Sequence, residues 1–256
     1  MPGFQFIHGL LRSYDPNFQG FFTSIDTADN FYTIKNSQPP DWEYHDKAIY
    51  YRYNSLGHRS VELSDLQDDY LLFTGCSVTE GVSLAEEDIY PTIVSKTLDK
   101  NFYNLGVGGS SPAITVKNLI AFLSFVKVYP QAIIIQWPFF QRYFDISTGY
   151  HIQHYSPACK ASSLYKEMLT NNDAFRYNVV ERNFMLHYLK NIGFCGKIVE
   201  MFNQTHSEIK TIGEVIPSEL NTIRFKLPHT VDYGRDLGHP GSKTHKLYAD
   251  IILKHL

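Results

Sequence analysis

The sequence predicts an α/β fold: a three-layer α/β/α sandwich with a central parallel sheet, preceded by a loop-rich N-terminal extension. Three observations carry this. Short, continuously apolar segments alternate with segments of helical length, as expected for strands buried on both faces. Glycine-rich stretches follow two of those segments, and an amphipathic helix closes the chain. We place the extension over residues 1–66 and the main domain over 67–256.

Taken in order, Pro2, Pro16, the pair Pro39-Pro40 and several Asn/Asp turns break the extension into short aromatic segments such as "NFYTI" and "AIYYRYNSLGHRS", read as a few short strands. From Tyr70 the pattern changes. "YLLFTG" reads as a strand entering a glycine turn, and "AEEDIYPTIVSKTL" as a helix with acidic residues at its start and Pro91 in its first turn. "NFYNLGVGG" is strand then loop, "PAITVKNLIAFLSFVKVYP" helix, and "QAIIIQW" a strand stopped by Pro138. A loop over about 140–160 precedes a long helix around "AFRYNVVERNFMLHYLKNIG", then the strands "GKIVEMFN" and "TIRFKL" and the final helix "SKTHKLYADIILKHL".

Composition excludes several function classes. With 256 residues, 43% hydrophobic and 19% charged, the chain can bury a large core. A formal net charge of -3 without blocks of like charge gives no footprint for nucleic acid. Three widely spaced cysteines, Cys76, Cys159 and Cys195, indicate neither a disulfide framework nor a metal pair. No apolar run reaches the roughly 18 residues of a membrane span, and the N-terminus lacks the pattern of a signal peptide. The expectation is a soluble protein, cytoplasmic or part of a virus particle, with no cofactor and no metal.

Ligands of an open parallel sheet bind at the carboxyl ends of its strands. Three loops there hold candidate chemistry. In "GCSVTEG", Gly75 and Gly81 let the chain bend around Ser77, and the following helix aims backbone N–H groups at an anion beside it. On the residues alone, Ser77 is a nucleophile or one small residue in a turn. "NLGVGGSSP" either brings a glycine N–H to an oxyanion or is a strand-to-helix connection capped by Ser110 or Ser111. In "DYGRDLGHPG", Asp236 and His239 are three residues apart, a spacing that sets a carboxylate beside an imidazole whose other nitrogen can face Ser77. Asp232, seven residues from His239, is a rival carboxylate.

Together these stretches resemble the SGNH (GDSL-like) hydrolase superfamily. "FTGCSVTEG" is similar to its first block, "NLGVGGS" to its second and "DLGHPG" to its last, in the expected order over about residues 70–256. The resemblance implies a flavodoxin-like sandwich with Ser77 as nucleophile, His239 as general base and Asp236 as its orienting carboxylate. It also implies oxyanion donors on the N–H groups of Ser77 and Gly109. Cys76 replaces the family's usual aspartate. Pro138, in "IIIQWPFFQR", stands where a third-block asparagine would complete the oxyanion hole, with Gln136 as a substitute amide. "YNSLGHRS" resembles an Asn-x-x-Gly-x-Arg segment that precedes the first block in some members, without an assigned role.

The resemblance implies an esterase acting on a small-molecule, lipid or carbohydrate ester, O-acetyl groups included. The alternatives are an O-acyltransferase using the same triad, or a non-catalytic binding or structural module that keeps the fold. Convergence of Ser77, His239 and Asp236 separates enzyme from module. The α/β-hydrolases share the order Ser, Asp, His, but their elbow is Gly-x-Ser-x-Gly, and position 79 here is Thr. Trp137 and Arg142, following a strand, are candidates for substrate contact, with a core role equally open. The pair His151 and His154 near Cys159 reads as loop histidines rather than a metal site, and His245 is expected on the exposed side of the last helix.

Overall fold

Five strands from residues 70–226 form one parallel sheet. The computed structural model describes residues 6–7, 10–145, 151–153, 173–212 and 219–256. The sheet strands are β1 (Tyr70–Thr74), β2 (Asn101–Asn104), β3 (Ala132–Trp137), β4 (Lys197–Phe202) and β5 (Thr222–Lys226), in the spatial order β5-β4-β3-β1-β2. All four neighbouring pairs are parallel, which gives the flavodoxin-like arrangement.

Parallel strands need crossovers, and helices supply them. Among the described residues the α-helices are α1 (Ala28–Lys35), α2 (Ser77–Glu80), α3 (Tyr90–Leu98), α4 (Pro112–Phe125), α5 (Asp173–Asn191), α6 (His206–Ile212) and α7 (Ser242–Leu253). Alternate strand residues face opposite layers. Leu72, Ile133, Ile135, Ile198 and Phe202 pack with Leu119 and Phe122 of α4 and Met185, Leu186 and Leu189 of α5. On the other face Leu71, Phe73, Ile134, Val199 and Met201 meet Tyr90 and Val94 of α3 and Tyr248, Ala249 and Ile252 of α7. The chain has a flavodoxin-like α/β/α fold.

Within residues 10–66, Phe31, Tyr44, Ile49, Tyr51 and Tyr53 meet Leu84 and Ile89 in a third apolar cluster. The strands there are two residues long, Gln19–Gly20 pairing with Tyr51–Arg52 and Leu10–Leu11 with Phe6–Ile7. "NFYTI" lies in α1 instead of a strand. Thr27 caps that helix by accepting from the Asn30 N–H, and Phe31 anchors it in the cluster.

Other differences from the sequence expectation have local causes. The helix expected over "AEEDIYPTIVSKTL" is divided into a 3₁₀ turn, Glu86–Asp88, an extended Ile89 and α3. Pro91 has no N–H and its ring excludes the carbonyl four residues back, so the helix does not continue upstream of its own first turn. The loop over about 140–160 contains the antiparallel pair Tyr143–Asp145 and His151–Gln153. The short α6 connects β4 to β5.

Candidate active site

The segment after β1 turns sharply because Gly75 has no side chain. A Cβ there would lie 2.3 Å from Thr79 Oγ1 and 2.6 Å from the Gln136 carbonyl oxygen. Cys76 is extended and Ser77 opens the one-turn helix α2, which Gly81 closes at a φ of 83°. Ser77 therefore sits at a helix N-terminus, where backbone N–H groups lack intrahelical acceptors.

The second loop is tied to the first. Asn104 donates to the Thr79 carbonyl at 2.8 Å and accepts from the Gly106 N–H at 2.9 Å, both buried. The Val107 N–H and the Ser110 hydroxyl donate to the Gly75 carbonyl at 3.1 and 3.0 Å. Between them Gly109, at a φ of 77°, is half-buried. Neither its N–H nor that of Ser77 donates to an acceptor among the described residues.

The third loop brings Asp236 and His239 to Ser77. Asp236 Oδ1 accepts the N–H groups of Gly238 at 2.9 Å and His239 at 3.0 Å, which curls residues 236–239 around the carboxylate. Its other oxygen lies 2.5 Å from His239 Nδ1, and His239 Nε2 lies 2.9 Å from Ser77 Oγ. Burial alone would raise the Asp236 pKa. The hydrogen bonds from the His239 ring and the two N–H groups outweigh it and hold the carboxyl at about 2. Ser77 is 7% exposed, and the imidazole 20%. Asp232 caps α7, accepting from the N–H groups of Lys243 at 2.9 Å and Thr244 at 2.8 Å, so its carboxylate is committed elsewhere.

Several candidates lie elsewhere than expected. Trp137 is fully buried and donates its indole N–H to Glu200 at 2.8 Å, so it is a core residue and not a substrate contact. Glu200 also receives the guanidinium of fully buried Arg182. Gln136 is fully buried too; its oxygen accepts from the Cys76 thiol at 3.1 Å and its amide donates to the Trp137 carbonyl at 3.0 Å. It thus supports the loop before Ser77. Arg142 is half-buried at the edge of the glycine-rich loop, donating to the Ser110 carbonyl at 3.2 Å with its guanidinium over Phe139.

His245 is buried, not exposed. It shares a helix face with Tyr248, Ala249 and Ile252 and accepts the Tyr90 N–H at 3.1 Å, and burial lowers its pKa to about 3. His154, Cys159 and the side chain of His151 lie outside the described residues. Among the described residues no three His, Cys, Asp or Glu side chains are placed to hold a metal, and no helix is long and apolar enough to cross a membrane. Sequence reasoning gave no role to Asn104, Arg59, Asp26 or Arg235, although Asn104 opens the second block and Arg59 ends the Asn-x-x-Gly-x-Arg segment.

No protein-family model matches the chain, and no curated protein matches it by sequence. Solved structures do. A carbohydrate esterase family 2 enzyme with a carbohydrate-binding domain from Corynascus thermopiles (Myceliophthora fergusii) aligns at a TM-score of 0.53 and 10% identity, covering 81% of this chain and 70% of that one. An acetyl xylan esterase from Butyrivibrio proteoclasticus aligns at 0.47 and 14%, covering 75% of this chain and 64% of that one, so the chain spans under two thirds of its length. A member of the lipolytic G-D-S-L family from Veillonella parvula aligns at 0.43 and 15%, over 72% and 96%. At these identities the likeness concerns the fold.

Proposed function

We propose that this SGNH-hydrolase-like chain is a serine esterase that removes a small acyl group from an oxygen. The observation carrying the reading is the unbroken hydrogen-bond chain Ser77–His239–Asp236, built from segments 162 residues apart in sequence. A serine hydroxyl is a poor nucleophile near neutral pH, and this arrangement remedies that.

In the proposed reaction Ser77 Oγ attacks the ester carbonyl carbon while His239 Nε2 takes its proton. Asp236 holds the Nδ1–H tautomer and stabilises the imidazolium. The carbonyl oxygen becomes an oxyanion facing the free N–H groups of Ser77 and Gly109. Collapse breaks the ester C–O bond, and His239 returns its proton to the leaving alkoxide. Water then attacks the acyl-Ser77 ester, giving its proton to His239, and the carboxylic acid leaves as Ser77 is reprotonated. No metal or organic cofactor enters any step. With Gln136 committed to the Cys76 loop, the oxyanion has two donors. A missing donor typically costs on the order of 100- to 1000-fold in turnover, so a slow esterase is expected.

The structure that aligns at a TM-score of 0.53 is a carbohydrate esterase, which makes a sugar ester the first substrate to try. The test is a panel of p-nitrophenyl acetate, butyrate and octanoate with acetylated xylan, using wild type and Ser77→Ala. Acetate release that Ser77→Ala abolishes supports the reading. A folded wild-type protein that hydrolyses nothing in the panel overturns it.

A further inference from the structure

We propose that residues 26–59 form a brace that sets the Ser77–His239 distance, with Tyr51 as its junction and Asp26, Arg59 and Arg235 as positioning residues. The inference uses the esterase reading for its kinetic readout only.

One arm of the brace grips the nucleophile segment. Asn54 Oδ1 accepts from the N–H groups of Leu56 at 3.0 Å and His58 at 2.9 Å, while its amide donates to the Val61 carbonyl and to Tyr103 Oη. This fixes the turn from which Arg59 emerges. Its guanidinium is buried over the Tyr51 ring and donates to the carbonyls of Gly81 at 2.5 Å and Leu84 at 2.9 Å. Gly81 closes the helix that Ser77 opens. Tyr53 adds a hydrogen bond to Glu80 Oε1 at 2.5 Å, on the same turn. This gives the Asn54-x-x-Gly57-x-Arg59 segment a role that its sequence does not reveal.

The other arm grips the acid–base loop. Asp26 pairs with Arg235, the residue before Asp236, at 2.6 Å and out of water. Arg235 also donates to the Phe21 carbonyl at 2.6 Å, and its guanidinium lies against the rings of Phe22 and Phe31. The Arg235 N–H donates to the Ser83 carbonyl at 3.1 Å. Tyr51 joins the arms, donating to Asp26 Oδ2 at 2.5 Å and accepting the Ser83 N–H at 2.8 Å. A closed ring of contacts therefore runs from Ser77 through α2, Arg59, Tyr51, Asp26 and Arg235 to Asp236, His239 and back to Ser77. Burying these charges is costly, and their partners are the backbone and side chains flanking the three proposed catalytic residues.

A displacement near 1 Å, produced away from the reacting atoms, can cost about 100-fold in rate. Tyr51→Phe removes only the junction hydroxyl, and Asp26→Asn is a second variant reaching the same junction. Tyr70→Phe, which loses the Tyr70 bond to the Val128 carbonyl at the far end of β1, controls for a general loss of stability. The proposal expects kcat to fall roughly 10- to 100-fold in both brace variants with KM within about twofold. It also expects Ser77 Oγ and His239 Nε2 to separate beyond about 3.5 Å in their crystal structures, and Tyr70→Phe to change neither. Folded brace variants with wild-type kcat and an intact contact overturn the brace. A wild type without ester turnover overturns the esterase reading instead, and the crystallographic separation alone then decides for or against the brace.

Discussion

Asp236→Asn changes one atom of the proposed triad while keeping its size. The backbone N–H groups of Gly238 and His239 both donate to Asp236 Oδ1, so they select the oxygen of an asparagine at that place. Its NH₂ group then faces His239 Nδ1. The imidazole must accept there, which puts its proton on Nε2, the atom that should receive the proton of Ser77. Charge is lost as well. The Asp236 carboxyl is held at about 2 against an ordinary 3.8, and at about 1.4 kcal/mol per unit the carboxylate is favoured by roughly 2.5 kcal/mol, near 70-fold. The inverted tautomer and the lost charge together cost a triad about 10⁴-fold in turnover, so a loss in kcat near 10⁴-fold is expected. KM should change little, since the group does not touch substrate. The same lowered pKa adds stability that is full above pH 4 and fades as pH falls toward 2, so at pH 7 the variant should lose up to about 2.5 kcal/mol. The assay is p-nitrophenyl acetate turnover at pH 7, with urea unfolding to count folded protein. A folded Asp236→Asn variant within tenfold of wild type would refute the assignment of Asp236 as the orienting carboxylate.

Trp137→Phe should lower stability by about 1–2 kcal/mol through the lost hydrogen bond to buried Glu200, with KM unchanged; a raised KM in ester assays would return Trp137 to the substrate pocket. Arg182→Met leaves Glu200 buried without its charged partner and should cost about 3–5 kcal/mol in urea unfolding, partly restored by adding Glu200→Gln. His58 and His245 are buried with pKa values lowered to about 4 and about 3. The unfolded chain, titrating near 6.5, binds more protons below that pH, so stability falls as pH drops from 7. At pH 5 the loss is about 2 kcal/mol per histidine, and His245→Asn should roughly halve the difference between unfolding curves at pH 7 and pH 5.

The sheet was legible because parallel strands covered on both faces are largely apolar, and β1 and most of β3 and β4 read that way in sequence. The same property hid the fate of Gln136 and Trp137. A strand without alternation carries no mark of which face a residue takes, and both faces here are core. His245 was readable in principle, since Tyr248, Ala249 and Ile252 follow it at helical spacing on the buried face. The short helices α1 and α6 were missed because one turn or two of weakly patterned residues gives little periodic signal. Asp236 and His239 stand close in sequence, and their hydrogen bond is local. The Asp26–Arg235 pair joins residues 209 apart, and only the folded chain brings them together.

The central claim is that Ser77 is an activated nucleophile. Labelling with a fluorophosphonate probe, followed by mass mapping, tests it without knowledge of the natural ester. The account predicts modification at Ser77 in the wild type, abolished in Ser77→Ala and reduced at least about 100-fold in His239→Ala, since a general base contributes on that order. A folded wild type that stays unlabelled, or that labels equally well without His239, would contradict it.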